Sequence, residues 1–202
     1  MDMTTNTTPA DIGTPFEGGF FAGRFRIGTD EFALIVAPKA EGETTGKWGE
    51  YGADIEGARS CFDGKANTQA MTEAGSDLAK WALGLTIGGF ADWYLPSRDE
   101  LEMCYRYLKP TTDENYCSFR DGDNASSVPP GFPYTEQSPA QTAVEAFQDG
   151  QPEAFDARWY WASTQFSPDL AWVQVFNDGY QGSYHEFNEF RARAVRKIRI
   201  SN

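Results

Sequence analysis

The sequence predicts an α+β fold, and three observations carry that reading. Two apolar runs, Phe20–Ile27 and Glu31–Ala37, flank Gly28-Thr29-Asp30 in the pattern of a β-hairpin. Met71, Ala74, Leu78, Trp81, Ala82 and Leu85 recur at helical spacing over residues 67–85. Strand-like runs close the chain near Trp159–Ser163, Ala171–Asn177 and Ala192–Ile200. Strands at both ends with helices between them predict one domain with two main helices, long loops and a twisted, mostly antiparallel sheet.

Residues 1–15 are Thr-rich and polar, with Pro9 and Pro15, and read as a flexible N-terminal arm on a domain spanning 16–202. After the hairpin, Lys39–Gly52 is a Gly- and Glu-rich loop. Gly75-Ser76 divides the helical stretch, with Ser76 placed to cap its second half. Gly88-Gly89 ends the pattern and leads into Asp92-Trp93-Tyr94-Leu95-Pro96-Ser97-Arg98-Asp99-Glu100-Leu101. Pro96 excludes helix at Leu95. Ser97 and Glu100 have the spacing of a capping box, and Leu101, Cys104, Tyr105 and Leu108 carry a helix to Lys109-Pro110. Thr111–Ala157 is rich in Pro, Gly, Asp, Asn and Ser and is too long for a simple connection, so it reads as an insertion at about 111–157.

A chain of 202 residues with 40% hydrophobic and 15% aromatic side chains can bury a real core. At this size roughly 70% of the unfolded surface is removed from water. The formal charge of -13 argues against a nucleic-acid partner, and no apolar stretch approaches the length of a membrane span. Residues 1–15 show no signal peptide. Cys61, Cys104 and Cys117 are odd in number and lack metal-ligand spacing, and His185 is the single histidine, which removes His-based triads and multi-His metal sites. Asp92, Asp99, Glu100 and Glu102 are ordinary partners for a helix start, and no phosphate loop or nucleophile elbow occurs, so no catalytic residue and no enzymatic activity is expected. Asp121-Gly122-Asp123-Asn124 has part of a calcium-loop ligand series and lacks the rest. No cofactor or metal is assigned.

The motif at 92–101 is followed in order by Tyr160-Trp161-Ala162-Ser163-Thr164, by Ala171-Trp172-Val173-Gln174-Val175-Phe176 with Asp178-Gly179, and by Arg191–Arg196. This ordered set resembles the family of the Legionella collagen-like protein C-terminal domain, in its longer, phage-encoded branch. The chain departs from the family pattern at Ala162, where Ser is usual, and has no Cys beside Val195-Arg196. The resemblance implies a C-type lectin-like fold with the N- and C-terminal strands close together. It also implies a virion-associated receptor-binding or adhesion module for host attachment, on a phage tail fibre or tail tip. The alternative is a structural virion protein, a head decoration or tail adaptor. Expected partners are other virion proteins, a host surface glycan or protein receptor, and further copies of the chain.

Tyr180, Gln181, Ser183, Tyr184, His185 and Asn188 are the residue types that binding loops use, rigid aromatic area beside adaptable hydrogen-bonding groups. They are the candidate ligand- or partner-binding residues, with an ordinary hairpin turning at Asp178-Gly179 as the plainer alternative. Tyr116 and Tyr134 join them as exposed-type aromatics. Trp93, Trp161 and Trp172 are assigned to structure, as is Trp159. Arg196 falls on the core-facing parity of a strand at 191–200, so either a bulge reverses the facing or Arg196 is buried with a carboxylate, Glu100 being the candidate. The other parity, with Arg191, Arg193, Lys197 and Arg199, reads as an exposed basic edge suited to an acidic neighbour.

Overall fold

The computed structural model describes residues 8–118 and 120–200. In chain order it contains β1 (Pro15–Phe16), β2 (Gly19–Ile27), β3 (Asp30–Val36), α1 (Lys39–Gly42), β4 (Glu43–Lys47), α2 (Gly64–Glu73), α3 (Asp77–Leu83) and α4 (Arg98–Leu108). There follow β5 (Ser127–Val128), β6 (Trp159–Ser167), β7 (Leu170–Val175), β8 (Gln181–His185), β9 (Glu189–Arg193) and β10 (Val195–Arg199). The fold is α+β, with two curled five-stranded sheets in place of the one expected. The first has the order β1-β2-β3-β10, with β5 on β2; the second runs β4-β9-β6-β7-β8. Every pairing is antiparallel except β6 with β9.

The local signals near the motif hold. Ser97 accepts from the Glu100 amide and Glu100 returns a bond to the Ser97 amide, completing the capping box of α4. Ser76 caps α3 through the Ala79 amide at 3.2 Å, and its hydroxyl also donates to Trp48 O at 2.6 Å. The stretch at 67–85 is therefore two helices, which with α4 makes three multi-turn helices instead of two. α4 lies between the sheets: Leu101, Cys104, Tyr105 and Leu108 pack with Phe25, Leu34 and Val36 of the first and Tyr160 and Ala162 of the second. α2 and α3 cover the other face of the second sheet through Met71, Leu78, Ala79 and Ala82. Trp93 sits against the outer face of the first sheet with Phe21, Ile35 and Ala194.

Several expectations need correction. Lys39–Gly52 is not simply a loop, since it holds α1 and the edge strand β4. Gly42 ends α1 so close to Ala37 that a Cβ there would lie 2.2 Å from Ala37 Cβ. Residues 1–7 of the expected arm lie outside the described residues, but Ile12 packs on the core and the Gly13 amide donates to Phe21 O at 2.8 Å. The stretch 191–200 is two strands: the chain leaves the second sheet after Arg193 and enters the first at Val195, with Ala194 O accepting from Ala37 N at 3.0 Å.

That crossover changes which side chains are buried. Arg196 is buried as one alternative required, but its partner is Asp92, with Nε–Oδ1 at 2.7 Å and Nη2–Oδ2 at 3.1 Å. The antiparallel bridge between Tyr94 and Val195 brings Asp92 alongside. Glu100 is instead consumed at its own helix start, accepting from Tyr94 Oη at 2.6 Å, Ser97 N at 2.8 Å and Gly64 N at 3.0 Å. The exposed basic edge does not form. Arg193 is buried against Phe155 and pairs with Glu153; Arg191 pairs with Glu43 and Asp156, Lys197 with Asp63 and Arg199 with Asp30.

Candidate functional site

Four of the six candidate binding residues, Gln181, Ser183, Tyr184 and His185, lie on β8, an edge strand, with Tyr180 just ahead of it and Asn188 in the turn after it. Gln-Gly-Ser-Tyr-His has weak intrinsic strand preference. It becomes a strand because β7 supplies the ladder, pairing Ala171 with Tyr184, Trp172 with Ser183, Val173 with Gly182 and Gln174 with Gln181. Alternation then divides the candidates. Gly182 and Tyr184 face one side with Val173 and Ala171; Gln181, Ser183 and His185 face the other with Gln174 and Trp172.

Tyr180 joins the first side, because its ring lies across Gly182. A Cβ at Gly182 would stand 2.4 Å from Tyr180 Oη, so only glycine leaves room for it. The result is a strip of aromatic rings at the end of the sheet that α2 and α3 leave uncovered. Ring centroids run Tyr116–Tyr180 at 5.4 Å, Tyr180–Trp159 at 6.0 Å, Trp159–Tyr184 at 4.4 Å and Trp159–Phe190 at 5.6 Å. Most contacts are edge-to-face, the geometry favoured by the ring quadrupole. Trp161 anchors the strip from the core, fully buried, 4.8 Å from Phe190 and donating from Nε1 to Gly46 O at 3.0 Å. Tyr116 is 51% exposed and Tyr184 37%, so the strip is open to solvent. Burial raises the Tyr180 phenol above its ordinary value, which keeps the hydroxyl protonated and able to donate.

On the second side, Trp172 is half-buried, with the Arg98 guanidinium 5.4 Å from its ring. His185 stacks on Phe187 at 5.1 Å beside Tyr51, at the turn between β8 and β9. Asn188 serves that turn, donating from Nδ2 to His185 O at 2.8 Å. Beneath it Glu186 is fully buried; burial pushes its carboxyl up to about 7, with Gln165 as its side-chain partner at 2.9 Å.

The structure thus brings Tyr180 and Tyr184 together, sets Gln181, Ser183 and His185 on the reverse side, and gives Asn188 a turn to hold. Tyr134 is not an exposed aromatic: it is buried, its hydroxyl donating to Glu102 at 2.9 Å. Trp159 and Phe190 belong to the strip and were not among the candidate binding residues. The two-residue period of Tyr180, Gly182 and Tyr184 marks a strand with an aromatic face, but which rings of other strands complete it depends on the sheet order. In the partial calcium loop, Asn124 is spent internally on Asp99 O and Glu102. Among the described residues no group of three or more His, Cys, Asp and Glu side chains is arranged to hold a metal ion. All three cysteines are free, with Cys104 buried. No helix among the described residues is long and apolar enough to cross a membrane.

Comparison with solved structures gives a fimbrial protein from Bacteroides ovatus ATCC 8483, with a TM-score of 0.40 and 12% identity, covering 81% of this chain and 35% of that one. No curated protein matches the chain. The model of the Lcl C-terminal domain family matches residues 43–196, from β4 through Arg196 in β10, which includes the aromatic strip and the capped start of α4. By that match the chain belongs to the Lcl C-terminal domain family.

Proposed function

We propose that this chain is a phage-encoded, virion-associated binding module on a C-type lectin-like scaffold. It acts at a tail fibre or tail tip and attaches the particle to the host through the Tyr116–Tyr180–Trp159–Tyr184–Phe190 strip. The observation that carries the binding reading is that strip: a solvent-open row of rings held on and beside paired strands and backed by the buried Trp161. Rigid aromatic area loses little entropy on capture, and aromatic anchors dominate the energetics of many interfaces. The lectin-like scaffold is supported by the α+β layout, by the first and last long strands flanking β3 in one sheet, and by the long segment between α4 and β6. The virion setting rests on the family resemblance, and the module needs no chemistry of its own.

Adsorption of particles to host cells tests the proposal. Tyr180→Ala and Tyr184→Ala should each cut adsorption at least tenfold, since truncating such an anchor commonly costs about 2 kcal/mol or more. Their melting temperatures should stay close to the parent's. Normal adsorption by both variants, or particles that fail to incorporate them, would overturn receptor binding; the second result makes the strip an assembly contact of a structural virion protein.

A further inference from the structure

The reverse side of β7 and β8 holds a cleft that the aromatic strip does not use. About 210 Å³ in volume, it is lined by Arg98, Ser118, Arg120, Asp121, Trp172 and Gln181. Pockets for drug-sized ligands begin at about 300 Å³, so this one suits a small molecule and not an extended chain.

The lining groups indicate what that molecule carries. Asp121 is 4% exposed, and its Oδ2 has no hydrogen-bond partner among the described residues. Burial pushes its carboxyl up to about 6, with the Gln181 backbone amide acting against that shift and Asp178 adding to it. A buried carboxyl with so few partners is a site that a cationic donor would satisfy. Arg98 is held in place by Asp99, through Nε at 2.9 Å and Nη2 at 2.7 Å, and lies over the Trp172 ring. Its remaining N–H groups are available, as are those of the exposed Arg120. Gln181 accepts from the Gly122 amide at 3.1 Å through Oε1, which leaves its NH2 as a further donor. The cleft thus offers a carboxyl with an unpartnered acceptor oxygen, a set of cationic donors, and an aromatic surface.

We propose that this cleft binds a free α-amino acid with an apolar or aromatic side chain. The ammonium sits on Asp121, the carboxylate is taken by Arg98 and Arg120, and the side chain lies against Trp172. A neutral sugar would give Asp121 only hydroxyl donors and leave the arginines no charged acceptor. Charge-assisted hydrogen bonds are roughly twice as strong as neutral ones, so the zwitterion is favoured. This inference does not depend on what the aromatic strip binds.

Isothermal titration calorimetry on the full chain tests it, with L-phenylalanine and L-leucine as probes. N-acetyl-L-phenylalanine lacks the ammonium, L-phenylalaninamide lacks the carboxylate, and methyl α-glucoside is the neutral sugar. Saturable binding of at least one amino acid is expected, at least tenfold tighter than each single-charge analogue and than the sugar. Asp121→Asn and Arg120→Gln should each weaken that binding at least tenfold. Both variants should fold: Asn is isosteric and uncharged at a buried site, and Arg120 is exposed. The proposal is overturned if neither amino acid binds, if the sugar binds more tightly, or if the two folded variants bind like the parent.

Discussion

The entry into α4 and the outer edge formed by β7 and β8 handle buried polar groups in opposite ways. At the α4 entry, Glu100 is completely buried yet receives hydrogen bonds from Tyr94, Ser97 and Gly64, while Thr68 Oγ1 donates to Gly64 O and accepts from the Leu95 amide. Among the described residues, no buried side-chain nitrogen or oxygen of that segment lacks a partner. Four buried side-chain atoms lack a partner among the described residues, and three of them, on Asp121, Gln174 and Glu186, lie on or against β7 and β8; the fourth is Arg106 Nε. Saturated networks lock one conformation, whereas unmet groups are the ones a ligand or a proton can reward. The two regions adjoin, since Arg98 at the start of α4 lies over Trp172 of β7, so the saturated network forms a fixed wall beside the unmet groups.

The largest test of that contrast is Glu100→Ala. It strands three buried donors, each costing about 1–3 kcal/mol, so the loss should be at least about 3 kcal/mol by urea unfolding at neutral pH. A loss below about 1 kcal/mol would mean the entry is not the anchor described. Adsorption measured on the surviving folded fraction should not fall selectively.

Glu186→Gln should act in the opposite direction and only at higher pH. The folded carboxyl titrates near 7, against an ordinary value of 4.5, because burial disfavours its charge. The folded state then binds more protons than the unfolded state between those values, so stability falls as pH rises through that window and is level above it. Gln cannot ionise and keeps an acceptor for Gln165. A gain of about 1–2 kcal/mol is expected at about pH 8, with little at about pH 4. Equal gains at both pH values would show that the carboxyl is not the source.

Gly182→Ala should have the smallest effect on stability, within about 1 kcal/mol, because the obstructed group is the movable tip of Tyr180. Adsorption should nevertheless fall with the Tyr180 and Tyr184 variants, as the ring is pushed off the strip. Unchanged adsorption would show that the seat of Tyr180 is irrelevant.

What the sequence revealed follows from the range of the forces involved. Pro96, the Ser97–Glu100 box and the Ser76 cap act within four residues, and each is legible and present. The strand character of β4 and β8 was hidden because Glu-Thr-Thr-Gly-Lys and Gln-Gly-Ser-Tyr-His owe their conformation to β9 and β7, remote or paired neighbours that outweigh local preference. Arg196 was recognisable as a buried charge by its parity, but its choice of Asp92 over Glu100 depended on the Tyr94–Val195 bridge, which no local pattern announces. The candidate site was half legible for the same reason. Tyr180 and Tyr184 were found by composition, whereas Trp159 and Phe190 join them only when β6 is laid beside β7 and β9 beside β6.

β2 and β10 flank β3 in one sheet, with Phe20 opposite Val36 and Arg199 opposite Phe32. Tension applied between the chain ahead of β1 and the chain after β10 would therefore enter at opposite ends of that sheet. It would load the hydrogen bonds on both sides of β3 together, in shear, instead of peeling them one by one. β8 and the aromatic strip belong to the other sheet and stand outside that load path, so tension along the chain would leave the seat of a partner held there unstrained.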